Sequence, residues 1–272
     1  MESRRVRIRS RSPVKWKFLL MTIMVLVSLT ACRKTTTDTV STTQATETEY
    51  KKPEIQVQDG KVLQELEAVT GSDLMDFKEL QEMNPDIIGW IQIPGTAIDY
   101  PIVQAEDNDA YMDIGADGEP SAGGTIFLDY ESQKDFRGLH NVIYGHNMRN
   151  GSMFHDLVRF KEESYFKEHQ YGILYTPAET FYLKMVSAYY AAANPLYRTT
   201  KFETEAAFED FFQTMLKTCK YGETDTQVPE SLFTFITCSY EFSDARTLVH
   251  AVEVSKEEAE AALNRPAAEK GK

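Results

Sequence analysis

The sequence predicts a mainly β domain, a mixed β-barrel with helices added before and between its strands. Short runs rich in β-branched and aromatic residues alternate with turn signals over most of residues 87–254. Two helical patterns precede these runs, and one long amphipathic pattern interrupts them. Many short strands with a few inserted helices are typical of a barrel with helical additions.

The predicted elements follow one another with clear boundaries. Helical spacing covers residues 61–69 and 73–83, where Asp73 can cap the second helix and Asn84-Pro85 ends it. The predicted strands are, in order, "IIGWIQI", "AIDYPIVQ", "GGTIFLDY", "HNVIYGH", "YGILYT", "FYLKMVSAYYAA" and the two strands within "SLFTFITCSYEFSDARTLVHAVEV". A helical stretch, "SMFHDLVRF", follows the fourth strand. The long amphipathic helix is predicted over residues 202–220, with Phe208, Phe211, Phe212, Met215 and Leu216 on one side.

The amino terminus has the pattern of an export signal. Seven basic groups in residues 1–17 precede an apolar run, Phe18–Cys32, that holds no charge. The run is short for a bilayer span, which needs roughly 20 apolar residues. It ends in "LTAC", which resembles a lipoprotein signal-peptidase box with Cys32 as the lipidated residue. An uncleaved signal anchor is the alternative, and both interpretations place the rest of the chain outside the membrane and tethered to it.

Four segments make up the predicted domain organisation. Residues 1–32 form the signal or anchor, and residues 33–58, rich in Thr, Ser, Asp and Glu, form a flexible tether because they cannot bury enough apolar surface to order. One folded domain is expected over residues 59–258, and residues 259–272 are expected to be a disordered tail.

The charge distribution excludes one class of partner. The chain has a formal net charge of -13, and residues 18–272 alone carry -19. Nucleic acids are poor partners for so acidic a domain, because neutralising phosphates requires a basic face. Peptides and cationic groups are better candidates. The acidic residues are scattered, so we expect no metal site and no cofactor.

The folded domain carries two cysteines, Cys219 and Cys238, and two interpretations of them compete. In an exported protein the pair invites a disulfide. Cys219, however, falls near the apolar side of the predicted long helix, where a free cysteine packs as a small hydrophobic residue. Unbridged, Cys238 is a lone thiol at a strand end. Such a thiol acts as a nucleophile only where a neighbour stabilises its thiolate or removes its proton.

His146 is the best candidate for that neighbour among the five histidines. It ends an apolar strand and precedes the polar loop "NMRNGS", which places a titratable ring at the barrel rim. A partly exposed turn residue is the plainer alternative. His169 lies in a polar helical segment and is expected to face solvent, whereas His250 lies inside the last strand, where a buried histidine is expected. The remaining two are His140 and His155.

Arg246 is expected to lie beside Cys238. The connection between them, "SYEFSDA", has the length of a hairpin loop, which can bring one strand end level with the start of the next. An arginine stays protonated and offers a rigid fork of donors, so it can support negative charge on sulfur or on an oxyanion. The alternative is a surface ion pair with Asp244 or Glu241, which would contribute little to stability.

These residues occur in a pattern that resembles the class B sortases, cysteine transpeptidases of Gram-positive cell surfaces. "TFITC" is followed by "SDAR" and preceded, about ninety residues earlier, by "YGHN". "NPDIIGWIQIPGTAIDYPIVQAEDNDAYM", "GGTIFLDY" and "NVIYGHNMRNGSMFHDL" are similar to class B segments in sequence and order, over roughly residues 75–254. The resemblance implies an eight-stranded barrel preceded by helices, with a long helix between its sixth and seventh strands.

The resemblance also implies roles. Cys238 would be the nucleophile, His146 the general acid and base, and Arg246 the residue that steadies substrate and oxyanion. Four residues would contact or border the substrate: Asn108, Met112, Ile236 and Thr237. The family usually has a leucine, often followed by a serine, where this chain has Phe235 and Ile236, so we expect its motif preference to differ there.

The reaction implied is acyl transfer in two steps. The thiolate attacks the carbonyl after a threonine in a C-terminal sorting motif of an exported protein, and the resulting thioacyl enzyme passes its acyl group to an amine. That amine would come from a peptidoglycan cross-bridge or from a pilin lysine. Two alternatives remain open at this point: a cysteine hydrolase that uses water as acceptor, and a non-catalytic exported binding lipoprotein braced by a Cys219–Cys238 disulfide.

Overall fold

The computed structural model describes residues 75–264, in which eight strands close into a β-barrel. The predicted mainly β class, with a long helix between the sixth and seventh strands, is confirmed. The predicted signal, tether and first helix lie outside the described residues. Within the described range, no helix has the length and apolar character needed to cross a membrane.

The strands have short, well-defined bounds. They are β1 (Ile87–Gln92), β2 (Asp99–Val103), β3 (Ile126–Leu128), β4 (His140–Tyr144), β5 (Tyr171–Tyr175), β6 (Thr180–Ala192), β7 (Leu232–Cys238) and β8 (Ala245–Val254). Around the barrel their order is β1-β2-β3-β4-β7-β8-β6-β5. Most neighbours are antiparallel, but β2 with β3 and β4 with β7 are parallel. The β4–β7 pair joins segments about ninety residues apart in the chain, and it positions the site described below.

Within residues 75–264, four α-helices and two 3-10 helices are added to the barrel. The α-helices are α1 (Phe77–Met83), α2 (Glu163–Glu168), α3 (Glu205–Thr218) and α4 (Lys256–Leu263), and the 3-10 helices are His155–Lys161 and Pro195–Arg198. The stretch predicted as helical after β4 is thus a 3-10 helix. In α3, Thr204 caps the amino end by accepting a hydrogen bond from the Ala207 amide, 3.1 Å away.

Both ends of the described region differ in detail from the prediction. Helix α1 begins at Phe77 and is capped by Asp76, whose carboxylate accepts from the Glu79 amide at 3.1 Å. At the other end, α4 runs to Leu263, past residue 258, where the domain was expected to stop. Ser255 caps the amino end of this helix, and Ala259 is fully buried. The helix is therefore stabilised both by its cap and by packing against the domain.

The barrel interior is filled by large apolar side chains that alternate along the strands. On β7, Phe233 and Phe235 point into the interior and are fully buried. The intervening residues face outward, where α3 covers them. Phe212 and Leu216 of α3 pack against Leu232 in one outer cluster, which is the apolar face that the periodicity of the helix predicts.

A chain of buried hydrogen bonds crosses the outer face of four strands. His140 Nδ1 lies 2.7 Å from the Thr199 carbonyl oxygen, and its Nε2 lies 2.7 Å from Thr234 Oγ1. The Thr234 hydroxyl is also 2.8 Å from His250 Nδ1, and His250 Nε2 is 3.1 Å from the Tyr189 hydroxyl. The chain therefore links β4, β7, β8 and β6 to the connection that follows β6.

The direction of every proton in this chain follows from one end. The Thr199 carbonyl can only accept, so Nδ1 of neutral His140 carries the hydrogen and its Nε2 accepts from Thr234. Thr234 in turn accepts from His250 Nδ1, which leaves His250 Nε2 as an acceptor facing the Tyr189 hydroxyl; that hydroxyl also lies 2.7 Å from Met215 Sδ. Both histidines must be neutral for this order, and burial lowers the pKa of His140 to about 4 and that of His250 to about 3.

Candidate active site

Cys238 and Arg246 face each other across the β7–β8 pair. The amide of Ser239 donates to the Ala245 carbonyl at 3.0 Å, which makes Cys238 and Arg246 a non-hydrogen-bonded pair. Side chains in such a pair lie closer together than in the alternating hydrogen-bonded pairs. It also follows that the backbone N–H and C=O of Cys238 point away from β8 and toward β4. The predicted proximity of the two residues is therefore present.

Three hydrogen bonds continue the β4–β7 ladder beyond the end of β4. The Gly145 amide donates to the Ile236 carbonyl at 3.2 Å, and the Thr237 hydroxyl donates to the Gly145 carbonyl at 2.7 Å. The Asn147 side-chain amide then donates to the Cys238 carbonyl at 2.9 Å. The segment that contains His146 is thus joined residue by residue to the segment that contains Cys238.

Gly145 permits this close approach. A Cβ atom built at this position would overlap Ile126 Cδ1 and lie 2.8 Å from Phe154 Cδ2. Since Phe154 is fully buried, it has no room to withdraw. A side chain at residue 145 would therefore push the segment away from the core, and His146 with it.

The ring of His146 is oriented by the connection between β2 and β3. Its Nε2 lies 2.8 Å from the Met112 carbonyl oxygen. Because a carbonyl only accepts, Nε2 carries the hydrogen and, in the neutral ring, Nδ1 is the nitrogen able to take up a proton. The backbone carbonyl of His146 accepts from the Phe154 amide at 2.8 Å, which holds the residue from its other side.

Arg246 is partly exposed and makes only weak contacts of its own. Its Nη1 donates to the Ala245 carbonyl at 3.0 Å, and its Nη2 lies 3.5 Å from Asp244 Oδ1. The ion pair raised as the plainer alternative is therefore formed with Asp244. The Asp244 side chain is 77% exposed, so this pair contributes little to stability. Glu241, the other proposed partner, pairs with Lys161 instead.

A buried carboxylate, Asp129, connects three segments around the site. Its Oδ2 accepts at 2.9 Å from both the Asn108 amide and the Tyr144 hydroxyl, and it lies 3.4 Å from Arg198 Nε. Tyr144 ends β4, two residues before His146. Burial and the neighbouring carboxylate raise the pKa of Tyr144, so its hydroxyl stays a donor. Asn108 is thereby held by the protein, since its Oδ1 also accepts from the Tyr130 amide at 3.1 Å.

The residues next to Cys238 on β7 divide between two faces. Ile236 lies on the outer face, as Cys238 does by alternation, and packs against Leu248 with only 6% of its surface exposed. Phe235 points into the barrel and packs edge to face on Phe154, with ring centroids 6.0 Å apart. Of the two departures from the family pattern, only Ile236 therefore borders the site. Thr237 is 2% exposed, and its hydroxyl donates to the Gly145 carbonyl.

Both cysteines of the domain are free thiols, with Cys219 buried and Cys238 partly exposed. Cys219 directly follows α3 as its C-cap residue and is buried, as expected for a small apolar residue beside that helix. Among residues 75–264, no group of three or more histidine, cysteine, aspartate or glutamate side chains is arranged to hold a metal ion.

The structure contradicts the prediction made for His169, and it places another histidine, His155, next to the site. His169 does not face solvent: its side chain is 10% exposed and its ring packs at a tilt against the Tyr165 ring, with centroids 4.2 Å apart. His155 lies 2.8 Å, through its Nδ1, from Asn147 Oδ1. Asn147 and His155 were not singled out from the sequence. The signal available for Asn147 was its place directly after His146.

Comparisons with known proteins agree with this geometry. The family model described as the Sortase domain matches residues 91–254. Sortase B of Listeria monocytogenes is 29% identical over 191 residues, which cover 69% of this chain and 78% of the relative. The X-ray structure of Clostridium perfringens sortase B is similar with a TM-score of 0.62 and 33% identity, covering 66% of this chain and all of that one. A Staphylococcus aureus sortase B–substrate complex is similar with a TM-score of 0.61 and 25% identity, covering 66% and 85%. With a closed eight-stranded barrel and this family match over more than half its length, the chain belongs to the sortases, the cysteine transpeptidases, and within them to class B.

Proposed function

We propose that this sortase cleaves a C-terminal sorting motif of exported proteins after a threonine and transfers the acyl group to an amine. The observation that carries the proposal is the join between residues 145–147 and 236–238, which places Cys238 beside the His146 segment and opposite Arg246. A thiol, an imidazole ring that can exchange a proton, and a permanently charged cation are the groups that acyl transfer through a thioester requires.

In this proposal each group has one role in each step. The Cys238 thiolate forms a bond to the carbonyl carbon of the threonine. The carbonyl oxygen gains a negative charge, which Arg246 stabilises. His146 gives its proton to the leaving amine as the peptide bond breaks, which leaves a thioester. An incoming amine then attacks the thioester, His146 takes up its proton, and the thiolate leaves. The His146 nitrogen that exchanges the proton is Nδ1, since Nε2 donates to the Met112 carbonyl.

The substrate would lie on the outer face of β7 and against the connection between β2 and β3. Ile236 borders the outer face of β7, and Met112 is 43% exposed beside His146. The side chains of Asn108 and Thr237 would shape the site rather than bond to the substrate. The Asn108 amide already donates to Asp129, and the Thr237 hydroxyl already donates to the Gly145 carbonyl. The staphylococcal relative has been solved in complex with a substrate, which supports a substrate-binding face in this class.

The location and partners proposed follow from the amino-terminal signal and from the chemistry. Residues 18–32 would tether the enzyme to the outer face of the cell membrane, either as a signal anchor or through a lipid on Cys32. Substrates would be surface proteins with a sorting motif, and acceptors a peptidoglycan cross-bridge amine or a pilin lysine. Tethering enzyme and substrate to one membrane raises their effective concentration.

The two alternatives predict different products. A binding lipoprotein braced by a Cys219–Cys238 disulfide would hold no free Cys238, and the free thiols of the structure argue against it. A cysteine hydrolase would release a free acid even when an amine is present.

The test uses the full chain, a panel of candidate sorting peptides, and triglycine as the acceptor. We expect a triglycine-ligated product and a thioacyl adduct on Cys238 in the mass spectrum, both absent in Cys238→Ala, whose fold is checked by circular dichroism. Hydrolysis alone, at every triglycine concentration, would contradict the transfer step. A disulfide found in the non-reduced protein would contradict the enzyme.

A further inference from the structure

The side chain of Asn147 bridges the nucleophile's backbone and a histidine outside the proposed catalytic set. Its Nδ2 lies 2.9 Å from the Cys238 carbonyl oxygen, and its Oδ1 lies 2.8 Å from His155 Nδ1. The Cys238 carbonyl only accepts, so it fixes which end of the amide is Nδ2. Oδ1 then faces His155, and His155 Nδ1 must carry a hydrogen. Every proton in the series His155, Asn147, Cys238 is therefore assigned by chemistry.

The Cys238 carbonyl depends on this bridge for its partner. It points away from β8, because Cys238 and Arg246 form a non-hydrogen-bonded pair. On its other side β4 has already ended at Tyr144. The Asn147 side chain thus replaces the backbone N–H that another β4 residue would have supplied.

The bridge also connects the nucleophile to the base. Asn147 directly follows His146, and it pairs with Met153 in an isolated antiparallel bridge. His155 begins the 3-10 helix that follows this bridge. A displacement of Asn147 would therefore move the Cys238 peptide and the His146 peptide relative to one another.

We propose that Asn147 and His155 are positioning residues that set the distance between the Cys238 thiol and the His146 ring. Neither touches the reacting atoms. The inference rests on the proposed function, in which Cys238 is the nucleophile and His146 the acid and base. Near-attack geometry is sensitive enough for this role, since a misplacement of about 1 Å costs about a hundredfold in rate.

Four variants test the pair in the full chain. Asn147→Ala removes the donor to the carbonyl, and Asn147→Asp places a carboxylate oxygen against it. His155→Leu removes the donor to Asn147, whereas His155→Asn keeps an N–H where Nδ1 lies. Asn150→Ala is the matched control, because Asn150 lies in the same loop and bonds only to Ser152.

Two readouts separate positioning from a structural role. For peptide transfer to triglycine, we expect kcat to fall about 10- to 100-fold in Asn147→Ala and further in Asn147→Asp, with KM changed less than about twofold. His155→Leu should lose about fivefold in kcat, and His155→Asn should return to within about twofold of the unchanged enzyme. The second readout is the rate of Cys238 alkylation by iodoacetamide, resolved from Cys32 and Cys219 by peptide mass spectrometry, which should fall in the same order.

The outcomes are distinct. Unchanged kcat and alkylation in Asn147→Ala would overturn the inference, and so would a rise in KM with kcat unchanged. If Asn147→Ala does not fold, the comparison of His155→Leu with His155→Asn decides, because equal losses in both would refute a donor role. If the unchanged enzyme transfers no peptide, the proposed function fails, while the alkylation series still tests the pair.

Discussion

Arg246 lies directly opposite Cys238 in a non-hydrogen-bonded position of the β7–β8 pair, so its side chain starts from the closest spacing that an antiparallel ladder offers. Among the described residues, the guanidinium is held only by the Ala245 carbonyl and by an exposed aspartate, Asp244. It is therefore free to turn toward a charge that develops at the thiol.

Removal of this guanidinium should slow the chemical step. We expect Arg246→Ala to lower kcat about 100- to 1,000-fold, which is the usual effect of losing one donor to an oxyanion. Arg246→Lys should recover only part of the loss, because lysine keeps the charge without the planar fork. Transfer of a sorting peptide to triglycine is the measurement. Asp244→Asn is the control and should stay within about twofold of the unchanged enzyme; an equal loss there would indicate that the ion pair matters instead.

The Asp129 carboxylate should couple the stability of the β4 end to that of the β2–β3 connection. Asp129→Asn removes the charge that Tyr144 and Arg198 share and should cost about 2 kcal/mol of the free energy of unfolding. Tyr144→Phe should cost about 1 kcal/mol. In urea unfolding, the double variant should lose less than the sum of the two, by about 0.5 kcal/mol or more. Additive losses would show that the two groups act independently.

Acid should destabilise the fold through His140 and His250. Their pKa values in the folded protein, about 4 and about 3, lie below the ordinary value of about 6.5 that they regain on unfolding. Below pH 6.5 the unfolded chain thus binds more protons than the folded protein. The free energy of unfolding falls as the pH drops from 6.5 toward 4, by an amount on the order of 4 kcal/mol at pH 4.5.

Urea unfolding at several pH values measures this effect. His250→Gln removes one of the two titrating groups and should roughly halve the dependence on pH between 6.5 and 4.5. A free energy of unfolding that stays constant over that range in the unchanged protein would contradict the assignment of two neutral buried histidines.

The two unusual residues before Cys238, Phe235 and Ile236, should have separable effects. Ile236→Ser alters the outer face beside Cys238 and should change the order in which sorting peptides are preferred, measured as kcat/KM over a peptide panel. Phe235→Leu alters the barrel interior, where Phe235 is fully buried, and should cost about 1 kcal/mol of stability with the peptide order unchanged. If Phe235→Leu reorders the peptides, the interior contributes to specificity.

The sequence was informative where chemistry and local spacing coincide. The hairpin length between Cys238 and Arg246 predicted their proximity, and the apolar periodicity of α3 predicted the face that it buries. The barrel and the family were predicted from short strands and from motifs in order.

Contacts between segments far apart in the chain could not be predicted from the sequence in the same way. Asn147 meets the Cys238 carbonyl only because β4 and β7 pair in parallel in one register, which nothing local to either segment specifies. His169 was assigned to solvent from the polar residues around it, yet its ring is covered by Tyr165 of its own helical turn and by the turn at Pro94. The 3-10 geometry of His155–Lys161 could not be predicted either, because the spacing of its apolar residues also fits an α-helix.

The parallel pairing of β4 with β7 has a consequence for when the enzyme becomes active. A contact between strands about ninety residues apart closes a long loop, and contacts of this kind slow folding. Arg246 reaches its place only when β8 has joined β7. A chain truncated before β8 would therefore hold Cys238 without Arg246, and the two residues come together only once nearly the whole domain has been synthesised.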